Sequence, residues 1–393
     1  MLRKLAAENF FSICDRQELD LTIASNATDA DERFARPSNS FSARLPRVVA
    51  LFGANASGKT NVLKAISFVQ HFITHSFLWP QDGEGVFLPF LTDEKRQSPT
   101  TLFVEFDLEF VPGEERTTFQ YELEICSYGT KVLREVLRYR PERRMRRLFE
   151  RTEDGIHASS DFDFPKSDPV RGKIRSNSSV ISTLAQFNHD FSMQFLDAFG
   201  LFVSNVNLSG KYRFDYEDAT KSYDKVPECF DDLKSHIFRF DLGITDVQLK
   251  KTTDGLVPQF VHEGLDDIVD WPFESQGTQN FYRLYPTLWG ALISGGVAII
   301  DELDNDIHPI LLPEIIREFQ DGDRNPLNAQ LIFSCHNATL MEHLTKEEVV
   351  FTEKDCAGAS SIYRLANVQG VRRDTNIYAK YLMGAFGAIP DIG

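Results

Sequence analysis

The sequence predicts an α/β fold built on a mostly parallel sheet, with an antiparallel β subdomain and a helical insertion. Three observations carry this. Short apolar strands at 47–52, 297–300 and 330–333 each run into a polar cluster. Stretches with apolar residues at helical spacing follow the first strand and precede the second. Strands that alternate with helices and end in polar residues imply a parallel sheet with its chemistry at the carboxyl ends. The antiparallel part comes from 101–110 and 117–125, which alternate apolar and polar residues around Pro112-Gly113.

Taken in chain order, 2–21 holds short apolar stretches on either side of Cys14-Asp15-Arg16 and suits a hairpin. Residues 26–44 are polar and read as a loop. Arg47-Val48-Val49-Ala50-Leu51-Phe52 is a strand that enters a glycine loop. Val62, Leu63, Ala65, Ile66, Val69, Phe72 and Ile73 then mark a helix. Residues 131–151 carry nine Lys/Arg and three Glu. The pattern from 188 to 270 is mixed, with helical stretches at 195–202 and 229–240 and no sustained heptads. Residues 280–292 read as a helix stopped by Gly295-Gly296. The strands 297–300, 330–333 and 349–351 follow.

The chain has 393 residues and is 42% hydrophobic, enough for a sizeable core. Its 33 Phe outnumber 11 Tyr and 3 Trp and read as core aromatics. A net charge of −16 and a pI near 5.1 exclude long-range attraction to nucleic acid, so any such contact needs a local basic patch. The five cysteines form no CxxC pair and no Cys/His cluster, which suits reduced thiols. No apolar run reaches the roughly 18 residues of a membrane span, and Met1-Leu2-Arg3-Lys4 does not open a signal segment. The expected location is the cytoplasm.

Gly53-Ala54-Asn55-Ala56-Ser57-Gly58-Lys59-Thr60 matches G-x-x-x-x-G-K-[ST] between an apolar strand and an amphipathic helix. In such a loop, Gly53, Asn55, Ala56, Ser57 and Gly58 let backbone N–H groups wrap phosphates. Lys59 reaches the β/γ oxygens, and Thr60 ligates Mg²⁺. Asp301-Glu302 after four apolar strand residues supplies the other half. Asp301 holds Mg²⁺ and Glu302 orients the attacking water. Adjacent acids at a strand end also suit a helix N-terminal cap. The phosphate loop in the same chain favours the metal and base roles. His336, just past the next strand, can reach the γ-phosphate region, although a lone histidine is also a common structural residue. Gln186, at the end of the apolar stretch 180–185, can place its amide on Mg²⁺ and the attacking water.

Ser275-Gln276-Gly277-Thr278 resembles a divergent form of the ABC signature. With Asn61 after the phosphate loop, the Asn9-Phe-Phe-Ser-Ile13 opening and the late His336, it makes the chain similar to the RecF/SMC branch of ABC ATPases. It also resembles the compact AAA-type ATPases of phage-defence and abortive-infection operons, such as RloA, AbiL and the ATPase of the PARIS system. The phrases 274–278, 301–304 with 307–309, 351–355 and 381–390 carry that likeness. The resemblance implies ATP and Mg²⁺ as ligands, with Asn61 at the nucleotide. It also implies a head-to-tail ATP sandwich in which Ser275, Gly277 and Thr278 serve the phosphates bound by a second copy. Two departures stand out. Gln276 replaces a more usual Asp or Gly, and His308 stands where transporter-type relatives keep an aspartate. The expected organisation is an N-terminal lobe at 1–187, a helical or mixed insertion at 188–270, and a C-terminal lobe at 271–393 with signature, acidic pair and His336.

Two functions compete. In the first, the chain is an ATP-hydrolysing sensor or scaffold of a two-component antiviral system. It forms homodimers or larger assemblies and controls a separate effector encoded by a neighbouring gene. The roughly thirty residues after Ile362 are too few for a nuclease domain. In the second, it is a RecF-like repair ATPase acting directly on DNA through Arg134, Arg138, Arg140, Arg143, Arg144, Arg146, Arg147 and Arg151. The same arginines also suit a solvated or partner-facing hairpin. A transporter motor, which needs a membrane partner, is disfavoured by the likeness to the RecF branch.

Overall fold

The computed structural model describes residues 1–389 except 29–31, 37–42, 81–85, 111–112, 166–169, 171, 240–242, 254, 306, 308 and 310. The central sheet has six strands in the order Phe202–Ser204, Val297–Ile300, Gln330–Ser334, Val48–Phe52, Val349–Lys354 and Ser360–Arg364. Its neighbours are parallel up to Val349–Lys354, and the last pair is antiparallel. The middle strands are buried along their whole length, as continuous apolar runs in a two-sided sheet must be.

Successive side chains point to opposite faces, so each strand feeds two cores. Val49, Leu51, Ile299 and Ile332 face the helix Lys59–His75 and a second sheet. Val48, Ala50, Ala298, Ile300, Leu331 and Phe333 face the helices Gln276–Ser294 and Leu312–Gln320.

The second sheet is antiparallel and seven-stranded, in the order Gly155–Ala158, Arg146–Thr152, Val132–Arg140, Thr117–Ile125, Thr100–Leu108, Leu2–Glu8 and Gln17–Asp20. The expected hairpins at 2–21 and 101–125 both form, and Pro112 lies outside the described residues. Buried Arg3 pairs with Glu105 and Asp107 at 3.0 Å each. The Leu2 N–H donates to Gln330 Oε1 at 2.7 Å and so ties this sheet to the central one. Phe106, Phe119, Phe195, Phe199 and Phe202 pack ring to ring between the sheets, the core role expected of the phenylalanines.

One segment differs from expectation. Residues 195–202 divide: the helix Asp190–Phe199 ends at Gly200, and Phe202–Ser204 becomes a strand beside Val297–Ile300. The central sheet therefore takes a strand from 188–270. After that strand the segment forms a two-stranded hairpin, the helices Tyr216–Lys225 and Pro227–Arg239 and a three-stranded sheet, whose Tyr223, Leu233, Val247 and Phe260 join the same core as Val48 and Ala50. The apolar stretch 180–185 forms a helix. Among the described residues, no helix is long and apolar enough to cross a membrane.

Candidate nucleotide site

Strand order decides which polar ends meet. The strand ending in Ser334 lies between the phosphate-loop strand and the strand ending in Asp301, so all three deliver side chains to one edge of the sheet. A cleft of about 710 Å³ opens there, a size suited to a nucleotide. The loop residues 55–61 line it together with Lys64, Asp301, Glu302, His336 and Lys354.

The loop is wound by positive φ at Gly53 (+151°), Ala56 (+64°) and Gly58 (+112°), and the helix starts at Lys59. Lys59 Nζ donates to the Gly53 and Ala54 carbonyls at 2.8 and 3.0 Å, curling over the loop. Burial lowers its pKa, partly opposed by the charges of Asp301, Asp304 and Glu302. The Ser57 hydroxyl is engaged with Thr352 Oγ1 at 2.6 Å, and its N–H donates to the Ala54 carbonyl at 3.2 Å, which tightens the loop. Asn61 lines the cleft but donates its amide to Ser12 Oγ at 2.7 Å. Its side chain thus ties the loop to the Asn9–Ile13 opening.

Thr60 Oγ1 donates to Asp301 Oδ2 at 2.9 Å, and Ser334 Oγ donates to Asp301 Oδ1 at 2.5 Å. One hydroxyl and one carboxylate at a phosphate loop suit Mg²⁺, which takes its other ligands from phosphates and water. The described residues contain no group of three or more His, Cys, Asp or Glu able to hold a metal by themselves.

Glu302 has φ +50°, an uncommon region for a non-glycine residue, and its N–H donates to Ser334 Oγ at 2.7 Å. Its carboxylate lies 3.0 Å from Lys211 Nζ and 3.8 Å from His336 Nε2. Burial raises the Glu302 pKa, but the hydrogen bond and charge of Lys211, with the charges of His336 and Lys59, outweigh it and the net shift is downward. The backbone N–H of His336 donates to Asp304 Oδ2 at 2.9 Å, which orients the turn carrying the ring.

Gln186 is not brought to this cleft. It caps the helix Val180–Ala185, whose Ser182 bonds the Thr74 carbonyl and the Phe77 N–H, at the far end of the helix that starts with Lys59. Asn205 occupies a comparable position at the end of the edge strand. It exchanges two hydrogen bonds with the Asp301 backbone, at 2.7 and 3.1 Å. Neither Asn205 nor Lys211 was legible, because nothing in 188–270 marked 202–204 as a strand of this sheet.

Ser275 caps the helix Gln276–Ser294, accepting from the Thr278 N–H at 3.1 Å. Ser275 is exposed and Gly277 half-buried. Thr278 is buried with its hydroxyl on Ser275 Oγ at 2.9 Å, so it shapes the helix start rather than presenting itself outward. No residue of that helix lines the phosphate cleft of its own chain among those described. His308 lies outside the described residues.

A mostly parallel sheet of this order, with a phosphate loop and an acidic pair at its strand ends and an antiparallel sheet at its flank, is an α/β P-loop fold. No curated protein matches the chain. Among solved structures, the SMC head domain from Thermotoga maritima is similar at 14% identity, over 92% of this chain and 98% of that one, with a TM-score of 0.42. Residues 48–342, which hold the phosphate loop, the acidic pair and His336, match one family along their length, and the chain belongs to it: "AAA domain, putative AbiEii toxin, Type IV TA system".

Proposed function

We propose that the chain binds MgATP in this cleft and hydrolyses it, and that it serves as the sensor or scaffold subunit of a two-component antiviral system. The observation that carries the ATPase reading is the contact of Thr60 Oγ1 with Asp301 Oδ2, with Lys59 and Glu302 at the same edge of the sheet. Backbone N–H groups of 55–60 and the Lys59 ammonium hold the phosphates. Thr60 and Asp301 would hold Mg²⁺, which supplies neutralising charge to the phosphate oxygens. Glu302 accepts a proton as water attacks the γ-phosphorus, the bond to the β-phosphate oxygen breaks, and ADP and phosphate leave.

Lys59→Ala is expected to lose ATP binding. Glu302→Gln should bind ATP normally and lose hydrolysis by about 100-fold or more. Equal hydrolysis by Glu302→Gln and the wild type overturns the assignment.

The family description, with its toxin and toxin–antitoxin terms, supports the defence reading over a housekeeping role. Exposed Ser275, on a helix that does not line its own phosphate cleft, supports head-to-tail pairing of two copies, closed with ATP and open after its loss. The effector would then be a separate cytoplasmic partner.

A second reading, direct action on DNA, draws on exposed Arg143, Arg144, Arg146 and Arg147 at the tip of the hairpin Val132–Arg140/Arg146–Thr152. The net charge of −16 weighs against it.

A further inference from the structure

After the edge strand Phe202–Ser204 the chain turns back in a short hairpin, Val206–Asn207 against Gly210–Lys211. The Asn207 side chain accepts from the Ser209 and Gly210 N–H groups at 2.8 and 3.1 Å, which shapes the turn. The hairpin is anchored at its base. Asn205 brackets the Asp301 backbone, the Tyr212 N–H donates to the Asn205 carbonyl at 2.9 Å, and Ser204 Oγ meets Ser67 Oγ of the phosphate-loop helix at 2.9 Å. This scaffold delivers the Lys211 ammonium to Glu302, 3.0 Å from Oε2 and 3.5 Å from the backbone carbonyl. The other carboxylate oxygen faces His336 across 3.8 Å.

We propose that Lys211 is a positioning residue for hydrolysis, holding Oε2 of Glu302 so that Oε1 is presented to the attacking water beside His336. The inference rests on the reading of the cleft as an ATPase site. A glutamate side chain that is 42% exposed has three free torsions. Catalysis of in-line attack requires one of its orientations, and a fixed cation on one oxygen supplies that restraint. Lys211 is not itself among the residues lining the phosphate cleft. It approaches Glu302 from the opposite side, through the small cavity that also contacts Asn280 and Arg283 of the helix Gln276–Ser294. It therefore acts through Glu302 rather than on the phosphates.

The test compares wild type, Lys211→Met, Lys211→Gln and Lys211→Arg in single-turnover ATP hydrolysis, with ATP affinity measured separately on a fluorescent ATP analogue and folding followed by thermal melting. The methionine and glutamine variants are expected to lose about 10- to 100-fold in kcat. They should bind the analogue within about two-fold of wild type, because a group that acts only on the base leaves ground-state binding intact. The arginine variant should recover part of the rate. In a Glu302→Gln background, Lys211→Met should add little further loss, since two residues acting as one unit are not additive. The inference is overturned if folded Lys211→Met or Lys211→Gln hydrolyses at the wild-type rate, if the loss is fully multiplicative with Glu302→Gln, or if it appears as weaker binding. Absence of hydrolysis by the wild type removes the ATPase reading and this inference with it. Wild-type hydrolysis that is indifferent to Lys211 removes the inference alone.

Discussion

Gly58 has φ +112°, and a Cβ there would lie 2.3 Å from Ser360 Oγ. Ser360 cannot easily yield, because its hydroxyl donates to the Ser57 carbonyl and contacts Ser12 Oγ, both at 2.7 Å. Gly58→Ala is therefore expected to cost about 1–3 kcal/mol in backbone strain. It should also weaken ATP binding, because the loop must shift to make room. Urea denaturation and an ATP titration check the two effects, and an unchanged ATP affinity would show that this cradle shape does not matter to the ligand. At this scale the motif residues were legible, since a phosphate loop and a strand-end acidic pair are local patterns. Gln186 was misread because an apolar run of six residues does not record where in the fold its segment packs. Ser182 of the same helix finds its partners Thr74 and Phe77 more than 100 residues away in the chain.

Among the elements, the helices Pro227–Arg239 and Leu312–Gln320 are joined through Glu318. Its carboxylate lies 3.5 Å from His236 Nε2 and 3.1 Å from Arg239, and it pairs closely with Arg324. Burial pushes the Glu318 pKa up, but hydrogen bonds from His236 and Arg239 and the charges of His236 and Arg324 hold it down to about 2, against an ordinary 4.5. A depressed carboxylate stabilises the fold above its unfolded pKa, and that contribution fades as pH falls from about 4.5 through about 2. Glu318→Gln should thus lower stability at pH 7 by on the order of 1 kcal/mol, since Arg239 and Arg324 are partly exposed and screened. The difference in Tm between wild type and variant should shrink towards zero as pH drops through that window. A difference that persists at pH 2 would assign the effect to packing instead. The helices themselves were readable from apolar spacing, but their cross-links were not, because the partners lie far apart in the chain.

Taken as a whole molecule, the proposed sandwich predicts complementation between copies. Ser275→Arg should bind ATP in its own cleft and fail to hydrolyse it. Mixing it with Lys59→Ala should restore at most one working site per pair, giving up to roughly a quarter of the wild-type rate if pairing is random and each pair holds two sites. Normal hydrolysis by monomeric Ser275→Arg would rule the sandwich out. The basic hairpin separates the two functional readings. If Arg143, Arg144, Arg146 and Arg147 hold DNA, replacing all four with Glu should flatten the salt dependence, since log K falls by about 0.9 per phosphate contact for each tenfold rise in salt. We expect instead little change in DNA binding and loss of co-purification with the product of the neighbouring gene. A salt titration beside a pull-down decides between them.

By itself the sequence determined the chemistry at strand ends: Lys59 and Thr60 after one strand, Asp301 and Glu302 after another, His336 after a third. Those assignments depend on short-range order, in which an apolar run fixes a buried strand and the next polar residues emerge at its end. Tertiary structure decided what reaches them. Ser334, Asn205 and Lys211 gain their roles only because Phe202–Ser204 and Gln330–Ser334 flank the strand that ends at Asp301. Strand adjacency is set by how a sheet closes its two cores, and residues 91 positions apart, as Lys211 and Glu302 are, carry no local pattern that records it.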